Sequence, residues 1–372
     1  MTVHRARRGS MAASPFVAAD PLVCKSFRAA ERSEIGIPPT IGALLDQAPF
    51  AGLTQLLDLA VVGSGKFPFA VAVPVRDERE LLPPMLAALL AAMRCVPQPG
   101  IAVFVVNDSS DGSAELITEW LRAHALAGVV LNVSFAPVIR NAPHARRLAL
   151  DTAATFVPHG VLLTTDADSE VAPYWIADRL AGLADKFDLM CEDVRLDATG
   201  WSSLPEQVRL MGEAEREYYA ACDLLWMRWS GGRAGAFAHR ASGASMAVRS
   251  DIYRALGRWP VPPHGEDGLL CRLVVEGGGR VVTIADGGTR TSARLSGRAA
   301  GGCGAALALR AADPDPECDA ALVTIAELRR LSAYCLNHGV RDSCGGVKPL
   351  RFSDLQEQLA LARVLLAQDR SA

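Results

Sequence analysis

Short apolar runs alternate with segments of helical character between residues 69 and 165. The apolar runs have no polar face, which is typical of strands that are covered on both sides of a sheet. The predicted strands are 69–75, 101–106, 129–135 and 161–165. The predicted helices are 78–93, 113–124 and 144–156. This alternation indicates an α/β fold with a doubly wound, mostly parallel sheet and flanking helices.

The segments on either side of this alternation predict helical extensions. In the N-terminal extension, residues 1–66, a helical run over 41–62 ends at a plausible Gly-Ser-Gly linker. The main α/β domain is predicted over residues 67–310, with a long helix over 205–229. Residues 311–372 form a predicted C-terminal helical extension, so the chain has one large domain between two smaller additions.

Composition narrows the class of protein. The net charge of −3 over 372 residues gives no basic footprint for nucleic acid. Nine scattered cysteines without a CxxC pair are typical of reduced thiols in a cytoplasmic protein. The longest apolar stretch, 81–93, is too short to span a membrane. The arginines of residues 1–10 precede no apolar signal-peptide core, although they leave peripheral contact with lipid headgroups open.

Carboxylates follow two of the predicted strands. Asp166 and Asp168 come directly after strand 161–165, and Asp108 and Asp111 follow strand 101–106. Ligands of open parallel sheets bind at the carboxyl ends of strands, where two acids can hold a hard divalent cation and its bound diphosphate. A plain strand-end turn and a helix N-cap are the alternative interpretations. They account for Asp111 better than for Asp108, whose carboxylate can accept a hydrogen bond from a base or a ribose.

The order of four motifs over residues 67–275 resembles the family 2 glycosyltransferases of the GT-A fold. Residues 73–78 resemble that family's opening strand and P-x-x-N-E turn, and 105–113 its V-V-D-D-x-S-x-D-G-S segment. Thr165 to Asp168 resembles the DxD motif. Residues 243–249 and 265–267 resemble the G-A-x-M-A-x-R segment and the G-E-D motif. This chain has Asp77 and Asn107 where the family has Asn and Asp.

The resemblance implies a donor site for a nucleotide-sugar. Asp108 would bind the base, and Asp166 would hold the ribose. Asp168, together with Asp166, would hold Mn²⁺ or Mg²⁺ and thereby the diphosphate. Arg146 would assist nucleotide binding, although Arg147 stands where the family has Asn and leaves the choice between the two arginines open. The opening strand and turn would complete the donor site with Pro74, Val75, Arg76 and Glu78.

The resemblance also assigns the acceptor side. Asp267, with Glu266 beside it, would be the base that takes the proton from the acceptor hydroxyl, as an inverting transfer requires. The alternative is a pair of helix N-terminal acids favoured by the helix dipole. The family's processive members carry a Q-x-x-R-W motif that is missing here. In its place, a basic loop with Arg294 and Arg298 is expected to contact the diphosphate or an anionic acceptor, or to be solvated.

The sequence therefore predicts a metal-dependent, inverting, non-processive glycosyltransferase that moves a hexosyl group from a nucleotide-sugar to a hydroxyl acceptor. One alternative is a nucleotidyltransferase, which needs a glycine-rich loop after the first strand that this chain lacks. Another is a catalytically silent sugar-nucleotide-binding or scaffold protein, left open by the altered positions Asp77, Asn107 and Arg147. The sequence does not identify the sugar, the base or the acceptor.

Overall fold

The main body is a mixed sheet with helices on both faces. A computed structural model describes residues 39–232, 237–295, 302–338 and 348–368. The eight strands follow the order β1-β4-β3-β2-β5-β9-β7-β10. They are β1 (Thr54–Val62), β2 (Phe69–Val75), β3 (Ile101–Asn107), β4 (Gly128–Phe135), β5 (Val161–Thr164), β7 (Leu189–Glu192), β9 (Met246–Arg249) and β10 (Val281–Ile284). A second, three-stranded sheet joins β6 (Ser169–Glu170), β11 (Arg290–Thr291) and β8 (Arg195–Leu196).

The predicted parallel sheet is confirmed. Strands β2, β3, β4 and β5 run parallel, with β2 between β3 and β5. Alternate residues of β2 face opposite layers: Ala70 and Ala72 join the core under α4, while Val71 and Val73 join the core under α2, α3 and α5. Because both faces are covered, these strands have no polar side. Their carboxyl ends meet at one edge of the sheet.

The helices confirm the predicted alternation. They are α1 (Pro39–Leu45), α2 (Leu82–Arg94), α3 (Ser113–Ala123), α4 (Ala142–Phe156), α5 (Trp175–Asp185), α6 (Ala198–Ser203), α7 (Glu206–Trp229), α8 (Ser250–Ala255), α9 (Glu266–Glu276), α10 (Cys303–Ala312), α11 (Ile325–His338) and α12 (Phe352–Gln368). Helix α2 begins at Leu82 rather than at 78, so Pro83 and Pro84 lie in its first turn, where no backbone N–H is needed. None of the described helices is long and apolar enough to cross a lipid bilayer.

The prediction of one helix over 41–62 is wrong. Helix α1 ends at Leu45, and residues 54–62 form β1, which pairs antiparallel with β4 over its whole length. The apolar spacing of this segment did not distinguish helix from strand, and the open edge of β4 decides the outcome by supplying backbone hydrogen bonds. Gly63, Ser64 and Gly65 therefore connect two strands of the same sheet.

The second half of the sheet contains elements that the sequence pattern missed. Helix α5 and strand β7 were not predicted, and β9 lies antiparallel between β5 and β7. The small sheet then brings Thr291 of β11 opposite Ser169 of β6. This pairing places the chain around residues 291–294 beside Asp168, whose carbonyl oxygen accepts a hydrogen bond from the Ser292 N–H at 3.2 Å.

The predicted C-terminal helices pack on α7. Helices α11 and α12 share a core with the buried face of α7, which includes Met211, Tyr218 and Trp226. The Tyr218 hydroxyl donates a hydrogen bond to the Val323 carbonyl oxygen at 2.7 Å. The aromatic residues on this face are therefore core residues that attach the C-terminal segment to the sheet domain.

A tight turn before β5 generates a stability prediction. A Cβ added to Gly160 would lie 1.9 Å from the Pro68 carbonyl oxygen, which also accepts the Val161 N–H. We expect Gly160→Ala to lower the free energy of unfolding in urea by about 1–3 kcal/mol. Gly268→Ala in α9 is the control, because no atom lies within 4 Å of the added Cβ. It should raise stability by about 0.5–1 kcal/mol. Equal effects of the two changes would contradict the packing described here.

Candidate active site

A cavity of about 850 Å³ opens at the carboxyl ends of β2, β3 and β5, the edge where open α/β sheets bind ligands. It gathers every predicted site residue within the described ranges except Asp108. These residues are Pro74, Val75, Arg76, Glu78, Arg146, Asp166, Asp168, Glu266, Asp267 and Arg294. Arg298 lies outside the described residues. The structure therefore brings the residues that the sequence assigned to the site together at one cavity.

Arg146 is the buried centre of this cavity. Its side chain is 4% exposed and donates hydrogen bonds to Thr164 Oγ1 at 2.9 Å and to the Gly243 carbonyl oxygen at 2.8 Å. A third bond joins its Nη2 to Asp166 Oδ1 at 2.5 Å. Burial alone would lower the pKa of Arg146, but Asp166 and Glu266 raise it overall. The guanidinium is therefore charged and fixes the direction of the Asp166 carboxylate.

Arg147 points away from the cavity. Its Nε donates to Asp151 Oδ2 at 2.7 Å, and its Nη1 donates to the Trp259 carbonyl oxygen at 2.5 Å. These contacts attach α4 to the chain after α8. Of the two arginines, Arg146 lines the cavity, whereas Arg147 binds Asp151 and neighbouring backbone.

Asp168 lies in a chain of charges at the floor of the cavity. Arg294 donates hydrogen bonds to the Glu78 carboxylate through both of its Nη atoms. Its Nη2 also lies 3.1 Å from Asp168 Oδ2, so Arg294 connects the two acids. Thr291 Oγ1 donates to Asp168 Oδ1 at 3.3 Å. Burial and the nearby charge of Asp166 raise the pKa of Asp168 to about 6. The charge of Arg294 opposes this shift.

The two strand-end acids fit a divalent cation in part. Carboxylates are the hard oxygen ligands that Mg²⁺ and Mn²⁺ accept, and Mg²⁺ is commonly bound by one or two carboxylates together with substrate phosphates. Within the described ranges, no group of three or more His, Cys, Asp or Glu side chains is arranged to hold a metal. A cation at Asp166 and Asp168 would thus need further oxygens from water and a diphosphate.

Asp108 does not line the cavity, because its carboxylate is hydrogen-bonded to residues at the end of β4. Its carboxylate accepts hydrogen bonds from Ser134 Oγ at 3.1 Å and from the Phe135 N–H at 3.3 Å. It also pairs with Arg140 Nε at 3.2 Å. Asn107 and Arg140 line the cavity here, and the sequence assigned neither of them to the site. In the sequence, only position pointed to these residues: Asn107 directly precedes Asp108, and Arg140 follows the end of β4.

Asp267 lies at the junction of two cavities. Gly265 precedes α9 in a left-handed conformation, with φ of 74°, and turns the chain into the helix. Asp267 Oδ2 accepts the Gly243 N–H at 3.2 Å, and Oδ1 accepts the Gly268 N–H at 2.7 Å. Burial raises the pKa of Asp267. Ser242, Gly265 and Asp267 also line a second cavity of about 800 Å³, whereas Glu266 faces only the first.

Part of the chain matches a known protein family. Residues 70–238 match the family model described as Glycosyl transferase family 2, and this match confirms the resemblance carried by the sequence motifs. The match includes Arg146, Asp166 and Asp168 and ends before Asp267 and Arg294. The family therefore covers the predicted donor side, while the acceptor side rests on the geometry of this chain.

Solved structures show weaker similarity. The mannosyltransferase PcManGT from Pyrobaculum calidifontis, in complex with GDP-Man and Mn²⁺, is 20% identical with a TM-score of 0.42; the alignment covers 62% of this chain and 58% of that one. Glucosyl-3-phosphoglycerate synthase from Mycobacterium tuberculosis, in complex with Mn²⁺, UDP and its glucosylated product, is 13% identical with a TM-score of 0.39, over 68% and 82% of the two chains. No curated protein matches this chain.

The contact between Arg146 and Gly243 generates a coupling prediction. A Cβ on Gly243 would lie 2.5 Å from the guanidinium carbon of Arg146. We expect Gly243→Ala to lower the free energy of unfolding by about 1–3 kcal/mol. The loss should be smaller in an Arg146→Lys background, because the ammonium group lacks the carbon that clashes. A double-mutant cycle by chemical denaturation measures this difference, and strictly additive effects would contradict the contact.

Proposed function

We propose that this protein is a metal-dependent, inverting, non-processive glycosyltransferase that moves a hexosyl group from a nucleotide-sugar to a hydroxyl acceptor. The observation that carries the proposal is the position of Asp267. This carboxylate lines both the cavity that holds Asp166 and Asp168 and the second cavity beyond it. A base between donor and acceptor is what a direct displacement requires.

The donor would lie in the first cavity with its base near the ends of β2 and β3. Pro74, Val75 and Arg76 provide strand-end backbone and side chains there, and Asn107 and Arg140 add polar groups. Asp108 would act on the base through Arg140, which it holds by an ion pair. Its predicted direct contact with the base stays a prediction.

Asp166 and Asp168 would hold the divalent cation. When bound, the cation supplies positive charge that stabilises the departing nucleoside diphosphate. Arg294 would complement it, since an arginine fork pairs well with phosphate oxygens. Its raised pKa, due first to the hydrogen bond with Glu78, keeps it charged throughout.

Asp267 would accept the proton of the acceptor hydroxyl as its oxygen forms a bond to the anomeric carbon of the donor. The bond from that carbon to the diphosphate oxygen breaks, and the nucleoside diphosphate takes its electron pair. Attack from the face opposite the leaving group inverts the anomeric centre. Burial brings the pKa of Asp267 closer to neutral pH, which suits a general base.

A cytoplasmic location is part of the proposal. Five buried cysteines form no disulfide among the described residues: Cys191, Cys222, Cys271, Cys318 and Cys335. Thiols kept reduced are typical of that compartment.

Removal of the second strand-end acid tests the metal site. Asp168→Ala should abolish the Mn²⁺-dependent rise in melting temperature that GDP or UDP produces, because the cation loses a ligand and the diphosphate loses its bridge. Asp58→Ala on the exposed edge strand is the matched control and should respond like the wild type. A variant that binds nucleotide and Mn²⁺ as the wild type does would rule out this assignment.

Replacement of the base separates chemistry from binding. Asp267→Asn keeps the shape of the side chain but cannot accept the proton. We expect turnover of the preferred nucleotide-sugar to fall about 10²–10⁴-fold, with donor affinity nearly unchanged. Glu266→Gln is the control, since Glu266 lines only the first cavity. Rates and affinities are measured by nucleoside diphosphate release and calorimetry.

Three outcomes would argue against this assignment. Wild-type turnover in Asp267→Asn would mean that Asp267 is not the base, and a larger loss in Glu266→Gln would move the role to Glu266. A wild-type protein that binds donors but releases no nucleoside diphosphate from any of them, with or without acceptors, would favour the silent sugar-nucleotide-binding alternative.

A further inference from the structure

The second cavity is rich in arginine, and only part of its positive charge is used within the protein. Arg195, Arg216 and Arg240 line it together with the aromatic rings of Trp201 and Tyr219. Arg240 forms two ion pairs, with Asp193 at 3.3 Å and with Asp223 at 3.1 Å, and lies over the Tyr219 ring. The carboxylate of Asp193 is therefore already paired with Arg240.

Arg195 and Arg216 remain without an ion pair in the described part of the chain. Arg195 Nε is buried and has no hydrogen-bond partner there. The guanidinium of Arg216 lies over the Trp201 ring at 5.8 Å. Burial, and then the charge of Arg195, lowers the pKa of Arg216, while Asp193, Glu213 and Asp286 act in the opposite direction.

The main acids of the cavity wall are occupied elsewhere. Glu192 pairs with Arg179 at 2.8 Å, and Glu215 pairs with Arg310 at 2.8 Å. Asp319 accepts the Ala321 N–H at 2.9 Å, and burial followed by the charge of Asp319 raises the pKa of Tyr219. Arg195, Arg216 and Arg272 therefore line the cavity without an ion pair among the described residues, and Arg195 Nη2 donates only a long hydrogen bond of 3.5 Å to the Ala285 carbonyl oxygen. Among the acids of the wall, Asp267 and Glu276 also have no ion pair within the described residues. Arg195 and Arg216 are the cations that lie in the same side-chain cluster as Trp201 and Asp193.

We propose that the second cavity binds an acceptor that carries an anionic group, a carboxylate or a phosphate, through Arg195 and Arg216, and presents its hydroxyl to Asp267. This inference rests on the proposed function and names the acceptor class for the same site. Two guanidinium groups can bind a planar or tetrahedral anion through several charge-assisted hydrogen bonds. An anion here would also relieve the repulsion between the two cations.

The volume of the second cavity limits the size of the acceptor. A volume of about 800 Å³ is within the range of small-molecule sites. Trp201 also lines the cavity and adds apolar surface beside Arg216. The acceptor is accordingly a small hydroxylated acid or a small phosphorylated alcohol or sugar, which agrees with a non-processive transfer.

The experiment uses three probes of matched skeleton: glycerol 3-phosphate, glycerate and glycerol. Each is titrated calorimetrically into the full chain with the first cavity filled by saturating GDP or UDP and Mn²⁺, so that phosphate binding at the donor site is blocked. The wild-type protein should bind at least one charged probe and should bind glycerol far more weakly. Preference for glycerol 3-phosphate or glycerate identifies phosphate or carboxylate as the anionic group.

The variants are Arg195→Gln and Arg216→Gln, with Arg122→Gln on the exposed face of α3 as the matched control. Loss of one charged hydrogen-bonding partner should weaken the preferred charged probe about tenfold or more, while nucleotide affinity and glycerol binding stay unchanged. The control should bind all probes as the wild type does. The conservative changes Arg195→Lys and Arg216→Lys should restore part of the affinity, which a purely structural role would not require.

The outcomes separate this inference from the proposed function. Equal binding of glycerol and the charged probes, or charged-probe affinity unaffected by either Gln variant, would overturn the anion site while nucleotide binding continues to support the donor site. Absence of nucleotide binding, with charged probes still held through Arg195 and Arg216, would instead contradict the proposed function and support the anion site.

Discussion

The buried guanidinium of Arg146 is the contact on which the geometry of the site depends. It joins α4 to β5 through Thr164 and to the chain before β9 through Gly243. Strand β9 runs antiparallel to both of its neighbours, β5 and β7, so this contact lies where the direction of the strands changes. The Nη atoms of this cation are hydrogen-bonded, while its buried Nε has no hydrogen-bond partner among the described residues and lies 4.0 Å from Glu266 Oε1. Because a buried cation is costly to leave unpaired, the surrounding backbone has few alternative arrangements that keep this charge paired.

Gly243 links Arg146 to the candidate base Asp267. Its carbonyl oxygen accepts from Arg146, and its N–H donates to Asp267 at 3.2 Å. The same arginine holds Asp166. One cation and one glycine thus fix the strand-end acid and the candidate base relative to each other, although they lie about a hundred residues apart in sequence. Only glycine fits, because a side chain would enter the guanidinium.

The sequence pattern predicted the features that depend on residues close together in the chain. The strands β2 to β5, the helices between them and the acids at their ends follow from apolar periodicity and turn residues. Three features could not be predicted in this way, because each depends on a partner distant in sequence. Residues 54–62 became a strand because the edge of β4 was open, Arg146 rather than Arg147 turned inward because Asp166 and Gly243 receive it, and Asp108 was taken up by the end of β4.

A second buried ion pair, between Glu192 and Arg179, lies beside the second cavity. Glu192 is fully buried and accepts hydrogen bonds from Ser245 and Thr289 as well as from Arg179. This network connects β7, the start of β9 and the residue before β11, and therefore sets where the chain that carries Arg294 leaves the sheet. Because Arg179 neutralises Glu192, the wall presents no unpaired negative charge from this residue to the second cavity. The buried pair thus leaves the field of Arg195 and Arg216 available to an anionic ligand.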